Sequence, residues 1–332
     1  MQKKILVTGS EGFIGSHLIE LLVKNNYKVI ALVQYNSFGN NGWLDTLDKK
    51  ITDNLEIIYG DIRDPLGFRK NIKQCYSIIN LASLIAIPFS YDAFTLYVDT
   101  NVKGTLNLLK SSIDLNIEKF IHTSTSEVYG TATTVPINEK HRLFAQSPYA
   151  ASKIAADQMV NSFYSSFSLP TLTLRPFNTY GPRQSARAII PSIITQIATN
   201  NSIKIGNIEP TRDFNFVRDI VKGFKLALEN DHFDGETINL ASNYEISIKS
   251  TLELISNIMN KDPKVIIEDK RIRPNKSEVE RLIGDNKKAF KILKWKPEYE
   301  GLEGFKNGLK ETINWMIDPN NLKKYNTEIY NK

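Results

Sequence analysis

The chain has 332 residues, 41% of them hydrophobic, which is enough to bury a large core and suggests about two domains. Lys and Arg exceed Asp and Glu by 42 − 36 = 6, yet no basic run or stripe stands out, so a nucleic-acid partner has little support. The single Cys75 excludes a disulfide within the chain and fits a reducing compartment. No apolar run reaches the roughly 18 residues of a membrane span, and residues 1–15 lack a signal-peptide layout, so the expectation is a cytoplasmic protein.

In chain order, Lys4-Ile5-Leu6-Val7-Thr8 reads as a buried strand followed directly by the glycine turn Gly9-Ser10-Glu11-Gly12-Phe13-Ile14-Gly15. A helical pattern over 16–25 and an apolar strand over 27–33 complete a βαβ unit. Glycines there let the backbone approach a pyrophosphate, and a helix N-terminus offers it amide donors and a favourable dipole. The plainer alternative is a tight turn with no ligand. Further strands are expected at 55–59, 77–81, 120–123 and 171–175, with helices over 95–113 and 149–167. This alternation predicts an α/β fold, a doubly wound parallel sheet covered on both faces. Beyond residue 180 the pattern predicts helices at 189–199, 217–230, 247–260 and 286–293, with strands near 203–205, 237–240 and 264–267. They suit a smaller C-terminal α/β lobe closing over the sheet's carboxyl edge, where such folds bind ligands.

Tyr149 and Lys153, four residues apart, share one helix face about one turn from each other. An ammonium so placed lowers a phenol's pKa, so Tyr149 is expected to work as a base near neutral pH. About twenty residues upstream, Thr125-Ser126-Glu127 follows the strand at 120–123. A base for a hydroxyl plus a second base for a carbon is the equipment for oxidation followed by elimination. The bland alternative for Glu127 is an ion pair at the mouth of the sheet. His17, His122, His141 and His232 have no metal-ligand spacing, no hydrolytic triad is recognisable, and His122 reads as a core residue.

The glycine turn, Gly60-Asp61-Ile62-Arg63-Asp64, Asn80-Leu81-Ala82-Ser83, Tyr149-x-x-x-Lys153 and Leu174-Arg175-Pro176-Phe177-Asn178 occur in order. Arg212-Asp213-Phe214-x-x-Val217-x-Asp219, Arg273-Pro274 and Trp295-x-Pro297 continue the series. Together they resemble the extended short-chain dehydrogenase/reductase family of nucleotide-sugar epimerases and dehydratases, over nearly the whole chain. The resemblance implies a Rossmann domain over 1–180, with some return segments from the C-terminal half, that holds NAD or NADP tightly. It further implies a nucleotide-sugar lobe over 181–320, and 321–332 is expected to be a loose tail. Cofactor contacts implied are Gly9, Gly12, Phe13, Ile14, Gly15, Asn36, Ser37, Asp61, Ile62, Leu81, Ala82, Ser83, Tyr149 and Lys153. By the same resemblance Tyr149 takes the proton of a sugar hydroxyl, Lys153 tunes it and Thr125 bonds the same oxygen. Epimerases of the family tend to have small residues where Glu127 stands, whereas dehydratases use a carboxylate for the C5 proton before water leaves C6. The dTDP-glucose dehydratases usually carry Asp-Glu after the Thr. Here Ser126-Glu127 is more similar to GDP-mannose dehydratases, so either Glu127 itself or Ser126 through water protonates the departing oxygen. Configuration-inverting dehydratases use a Lys near this position, so this chain resembles the retaining ones.

NAD sites usually place an acid about twenty residues after the glycines. Val33 stands there and no Arg or Lys replaces it, leaving NAD favoured and NADP open, with the cofactor regenerated each turnover. The segments Tyr35-Asn36-Ser37-Phe38, Gly42-Trp43-Leu44-Asp45 and Ile85-Ala86-Ile87-Pro88-Phe89-Ser90-Tyr91 resemble the 4,6-dehydratases of the bacterial legionaminic acid pathway. Those act on a nucleotide-linked N-acetylglucosamine; Trp43 could equally be packing. Arg212 and Arg273 lie at the family's phosphate-binding positions, where guanidinium forks suit a diphosphate. Asn178 and Ser83 join the expected substrate set, as does Arg187; for Arg183 and Arg187 a solvent-facing salt bridge is the alternative. A homodimer through the helices at 95–113 and 149–167 is implied. The readings that compete with a 4,6-dehydratase are a 4-epimerase of the same family and a non-enzymatic nucleotide-binding protein.

Overall fold

The structure is a computed structural model and describes residues 4–231 and 233–326, so His232 and residues 327–332 lie outside it. Seven strands form the central sheet: β1 (Lys4–Thr8), β2 (Lys28–Val33), β3 (Leu55–Tyr59), β4 (Cys75–Asn80), β5 (Lys119–Thr123), β6 (Thr171–Pro176) and β7 (Asp234–Leu240). Their order is β7-β6-β5-β4-β1-β2-β3, parallel throughout, as the alternation predicts. Successive side chains of a strand point to opposite faces, and β1 divides accordingly. Ile5 and Val7 join one core and Leu6 joins the other. The crossover order reverses between β1 and β4, which puts a crevice at the carboxyl ends of those strands.

Helix α1 (Phe13–Lys24) leaves the glycine turn. Gly9 has φ +62°, and a Cβ there would meet the Ala82 amide nitrogen at 2.8 Å. A Cβ on Gly15 would sit 2.1 Å from the Gly9 carbonyl oxygen, so both positions admit only glycine without a backbone shift. Residues 94–114 are helical without a break, through a π-helical stretch at Val98–Lys103 into α2 (Gly104–Asp114). Helix α3 (Pro148–Phe167) starts where Ser147 accepts the Ala150 amide and Pro148 occupies the first turn.

The second core belongs to the C-terminal lobe. It is built from α4 (Ile189–Thr199), α6 (Ile248–Met259), α7 (Gly301–Ile317) and the short strand Ser202–Ile205, which pairs with the exposed strand Lys264–Ile267. Helix α7 is absent from the sequence expectation. Its apolar spacing at Phe305, Leu309, Ile313 and Met316 repeats every three to four residues, but glycines at 301, 304 and 308 dilute the pattern. Gly308 is needed for packing, since a Cβ there would meet the Tyr180 hydroxyl at 2.1 Å.

The two lobes are interleaved in sequence. Between β6 and β7 the chain runs through the second lobe, then returns as α5 (Val217–Glu229), which packs on α1. Trp295 is fully buried in the sheet's core and donates its indole N–H to the Asp219 carbonyl at 2.8 Å. The Asp219 carboxylate accepts the amides of Glu298 and Tyr299, both at 3.0 Å, which fixes the chain beyond Trp295. Of the stretch expected to be a loose tail, the structure describes residues 321–326. Tyr325 lies 6.2 Å from the ring of Trp43 and donates to the Gln184 carbonyl at 3.0 Å. Among the described residues no helix is long and apolar enough to cross a membrane.

Replacing Trp295 with Ala empties a large, dry site. The expected loss is about 3–5 kcal/mol of unfolding free energy, read as a lower denaturant midpoint. An unchanged midpoint would mean that the return segment adds nothing to the sheet's core.

Candidate active site

A single cleft of about 1470 Å³ runs from the glycine turn, across the carboxyl ends of β1, β4 and β5, into the C-terminal lobe. Its floor is the glycine turn: Gly9, Gly12, Phe13, Ile14 and Gly15 all line it. No side chain caps α1 at Gly12, so the first-turn amides remain free for an anion. Uncapped first-turn amides beside a glycine floor are what a dinucleotide pyrophosphate requires, and the residues fit that group. Asp61, Ile62, Leu81, Ala82 and Ser83 form the adjoining wall as expected. The Ser83 hydroxyl donates to Asn101 Oδ1 at 2.9 Å, and Asn101 in turn donates to Ser152 on α3.

Asn36 and Ser37 do not line the cleft, contrary to expectation. Asn36 closes its own loop instead, donating to the Asn40 carbonyl at 2.8 Å and accepting the Phe38 amide at 3.1 Å. Their wall is made by Gln34, Asn40, Gly42 and Trp43, with Lys324 from the tail. Trp43 both lines the cleft and packs, its ring centroid 5.5 Å from that of Trp315. Glu11, Gln34 and Lys324 are cleft residues to which the sequence assigns no role.

At the end of β5 the chain turns through Thr125 into a short 3-10 helix, Ser126–Tyr129, whose first turn is capped by the Thr125 hydroxyl accepting the Glu127 amide at 3.2 Å. Thr125, Ser126, Glu127, Tyr149 and Lys153 meet at this point of the cleft. Behind them lies a buried polar layer. Asp157 Oδ2 accepts Ser124 Oγ at 2.7 Å and the Arg175 Nη2 at 2.8 Å, while His122 Nε2 lies 3.4 Å from Asp157 Oδ1. Burial first, then the neighbouring Lys153 charge, pushes His122 down to about 4, so it is neutral. At 3.4 Å the His122 contact is long, and the ring nitrogens have no close partner.

Tyr149 and Lys153 are both buried. Burial raises the Tyr149 phenol above its ordinary value, the nearby Glu127 charge raises it further, and the Thr125 hydroxyl opposes both. The expected lowering by Lys153 is not the dominant effect. Lys153 Nζ donates to the Thr123 carbonyl at 2.7 Å, and its own pKa is lowered to about 8 by desolvation against the pull of Asp157. Burial shifts each group towards its neutral form in this dry corner, and that is why the sequence argument from spacing alone fails.

Asn178, Arg187, Arg212 and Arg273 line the far half of the cleft. Arg212 is buried and donates to Glu278 at 3.2 Å; burial, aided by the Arg273 charge, lowers its pKa against Glu127 and Glu278. Arg273 Nη1 is buried without a hydrogen-bond partner, 3.7 Å from Glu278 and 4.0 Å from Glu127. Two guanidiniums thus meet the carboxylates of Glu278 and Glu127 at one place in the cleft. Arg187 is exposed at the rim, and Arg183 instead pairs with Glu20 at 2.9 Å. Among the described residues no three His, Cys, Asp or Glu stand together for a metal.

The model for the GDP-mannose 4,6-dehydratase family matches residues 6–311. The chain belongs to the nucleotide-sugar epimerase/dehydratase family. A human dTDP-D-glucose 4,6-dehydratase is 31% identical over 325 residues, covering 94% of this chain and 89% of its own. The dTDP-glucose 4,6-dehydratase DesIV of Streptomyces venezuelae, solved with NAD bound, superposes with a TM-score of 0.85 at 26% identity, covering 96% and 98% of the two chains. The UDP-N-acetylglucosamine 4-epimerase of Methanobrevibacter ruminantium gives a TM-score of 0.84 at 31% identity, covering 95% and 98%. The family therefore contains both reactions at equal likeness to this chain.

The Lys153 ammonium is charged in both the folded and unfolded chain below about pH 8, so its burial cost is then full. Above the ordinary lysine value of 10.5 both states are neutral and the cost is gone, so this group's stability contribution rises with pH between the two values. Lys153→Met should therefore raise the melting temperature of the cofactor-free protein at pH 7. The gap to the unaltered protein should narrow towards pH 10, while activity is lost at every pH. A gap independent of pH would show that the ammonium is not desolvated.

Proposed function

We propose that this chain is an NAD-dependent nucleotide-sugar 4,6-dehydratase. The observation that carries the reading is Glu127: a carboxylate, mostly buried, that shares one end of the cleft with Thr125, Tyr149 and Lys153. An epimerase has no need of a second base there. Bound in the cleft, NAD would take a hydride from the sugar's C4 and return it at C6. Thr125 holds the C4 oxygen and Tyr149 removes its proton, with the Lys153 ammonium stabilising negative charge on the phenol. The new C4 ketone acidifies C5, and Glu127 takes that proton. The C6 hydroxyl then leaves as water, protonated by Glu127 itself or by Ser126 through a water, and a solvent-derived proton is returned to C5 as the hydride reaches C6. Arg212 and Arg273, with Asn178, Ser83 and Arg187, would bind the sugar's diphosphate and hold C4 against Tyr149. The substrate is read as a GDP- or UDP-linked N-acetylglucosamine, as in the legionaminic acid pathway whose loop wording the chain resembles. A cytoplasmic location belongs to the same reading.

The ion-pair reading of Glu127 has a specific observation on its side, the 4.0 Å approach to Arg273. That distance is at the outer limit of an ion pair, and Arg273 lies closer to Glu278. A 4-epimerase remains the competing activity. The purified protein should remove one water from GDP- or UDP-N-acetylglucosamine, with solvent deuterium appearing at C5 by mass and NMR. Glu127→Gln should lower this rate by about 10²–10⁴. A product of unchanged mass with inverted C4 would establish the epimerase, and undiminished dehydration by Glu127→Gln would assign its proton transfer elsewhere.

A homodimer is also proposed, through the exposed Leu96, Val98 and Leu106 of the helical run at 94–114 and Phe167 at the end of α3. Light scattering should give twice the chain mass at micromolar concentration. Leu106→Asp, together with Val98→Asp, should shift it to one.

A further inference from the structure

β2 ends at Val33 and is followed by Gln34 and Tyr35, with no acid at the place where a doubly wound sheet usually grips the ribose of a dinucleotide. A carboxylate nevertheless arrives there from another element. Glu11, inside the glycine turn, reaches across to the exit of β2, where its Oε1 accepts the Gln34 amide at 3.0 Å. Its carbonyl accepts the Trp43 amide, also at 3.0 Å, and a Cβ on Gly42 would lie 3.1 Å from the Glu11 Cβ. The glycine turn and the loop after β2 are thus clasped through this one residue. Glu11 lines the cleft beside Gly9 and Gly12, yet its Oε2 is shielded from solvent and has no partner. An unpaired carboxylate oxygen so placed is costly, and a donor that satisfies it stabilises the complex.

We propose that Glu11 replaces the missing strand-end acid: its carboxylate accepts the hydroxyl hydrogens of the adenosine ribose of NAD, and its charge rejects the 2′-phosphate of NADP. Cofactor choice is set from the glycine turn and not from the second strand. The surrounding charges agree. Of the basic residues that touch this wall, Arg63 is held by Asp61 at 2.5 Å, and the Lys324 ammonium lies over the Trp43 ring at 5.3 Å. Asp61 itself lies within 3.4 Å of the Gln34 side-chain nitrogen, adding a second negative charge to the same wall. A 2′-phosphate would enter between two carboxylates with no free guanidinium to meet it.

The inference rests on the reading that the cleft holds a dinucleotide, and titration calorimetry separates the two. Full-length protein freed of cofactor is titrated with NAD and with NADP, alongside Glu11→Gln and Glu11→Asp. Glu11→Gln keeps the shape and the acceptor for the Gln34 amide but loses the charge. Its NAD dissociation constant should rise roughly tenfold, while that of NADP stays level or falls. Glu11→Asp should keep the discrimination against NADP with weaker NAD binding. The thermal shift produced by NAD should shrink in the same order, which gives a second readout if one variant folds poorly. Unchanged selectivity in Glu11→Gln, or an equal loss for both cofactors, would overturn the proposal, because Glu11 would then only shape the turn. Wild-type protein that binds NADP as tightly as NAD would overturn it as well. Protein that binds neither would bring down the dinucleotide reading itself.

Discussion

The site hangs from one buried charge. Asp157 on α3 is tied to Ser124 at the end of β5 and to Arg175 in β6, with His122 of β5 against its second oxygen. Arg175 continues the chain of contacts to the Tyr129 hydroxyl at 2.9 Å, and Tyr129 donates to Asn239 of β7 at 2.7 Å. One helix and three neighbouring strands therefore share a single polar layer beneath the cleft floor. A buried ion pair of this kind contributes little net stability against an apolar equivalent, although breaking it from one side is expensive. Its value here is positional. Thr125 and Glu127 sit one to three residues past Ser124, and Tyr149 and Lys153 lie about two turns and one turn before Asp157 on the same helix. Whatever fixes Asp157 fixes the spacing between the two halves of the constellation.

The same layer accounts for the electrostatics above it. Lys153 lies between the Asp157 charge and a dry wall, so its ammonium is favoured by one and penalised by the other, and burial prevails. Tyr149 has no comparable cation holding it, and burial raises its phenol. Desolvation thus works on both groups at once, lowering the ammonium and raising the phenol.

Much of this could be read from the sequence because parallel strands buried on both faces write themselves as short apolar runs, and glycine turns are unmistakable beside them. The Tyr149 and Lys153 spacing placed both on α3, and the motifs at 61–62, 81–83, 125–127, 212 and 273 all reached the cleft. What failed depended on contacts between distant segments. Asn36 and Ser37 sit in a loop whose path is set by Gly42 packing on Glu11, thirty-one positions earlier in the chain. The order of residues 321–326 comes from Trp43 and Trp315, which no local pattern connects. Helix α7 was hidden by the glycine that lets it approach Tyr180. The lowered phenol pKa was inferred from a helix surface, but the pair lies in a protein interior, where desolvation outweighs one turn of proximity.

The return of the chain as α5, β7 and Trp295 has a consequence for how the molecule is made. A ribosome delivers β1 to β6 first, but the sheet's outer strand and then the indole that closes its core emerge only after the chain has entered the second lobe. The N-terminal half must wait, with the β6 edge unpaired until β7 is made and apolar surface open until synthesis has passed residue 295. Exposed edges of that kind invite pairing with other chains. Nascent protein is thus most exposed to aggregation and to chaperone capture in the interval between the making of β6 and the making of Trp295, and a cut in that interval separates β6 from the strand and the indole that cover it.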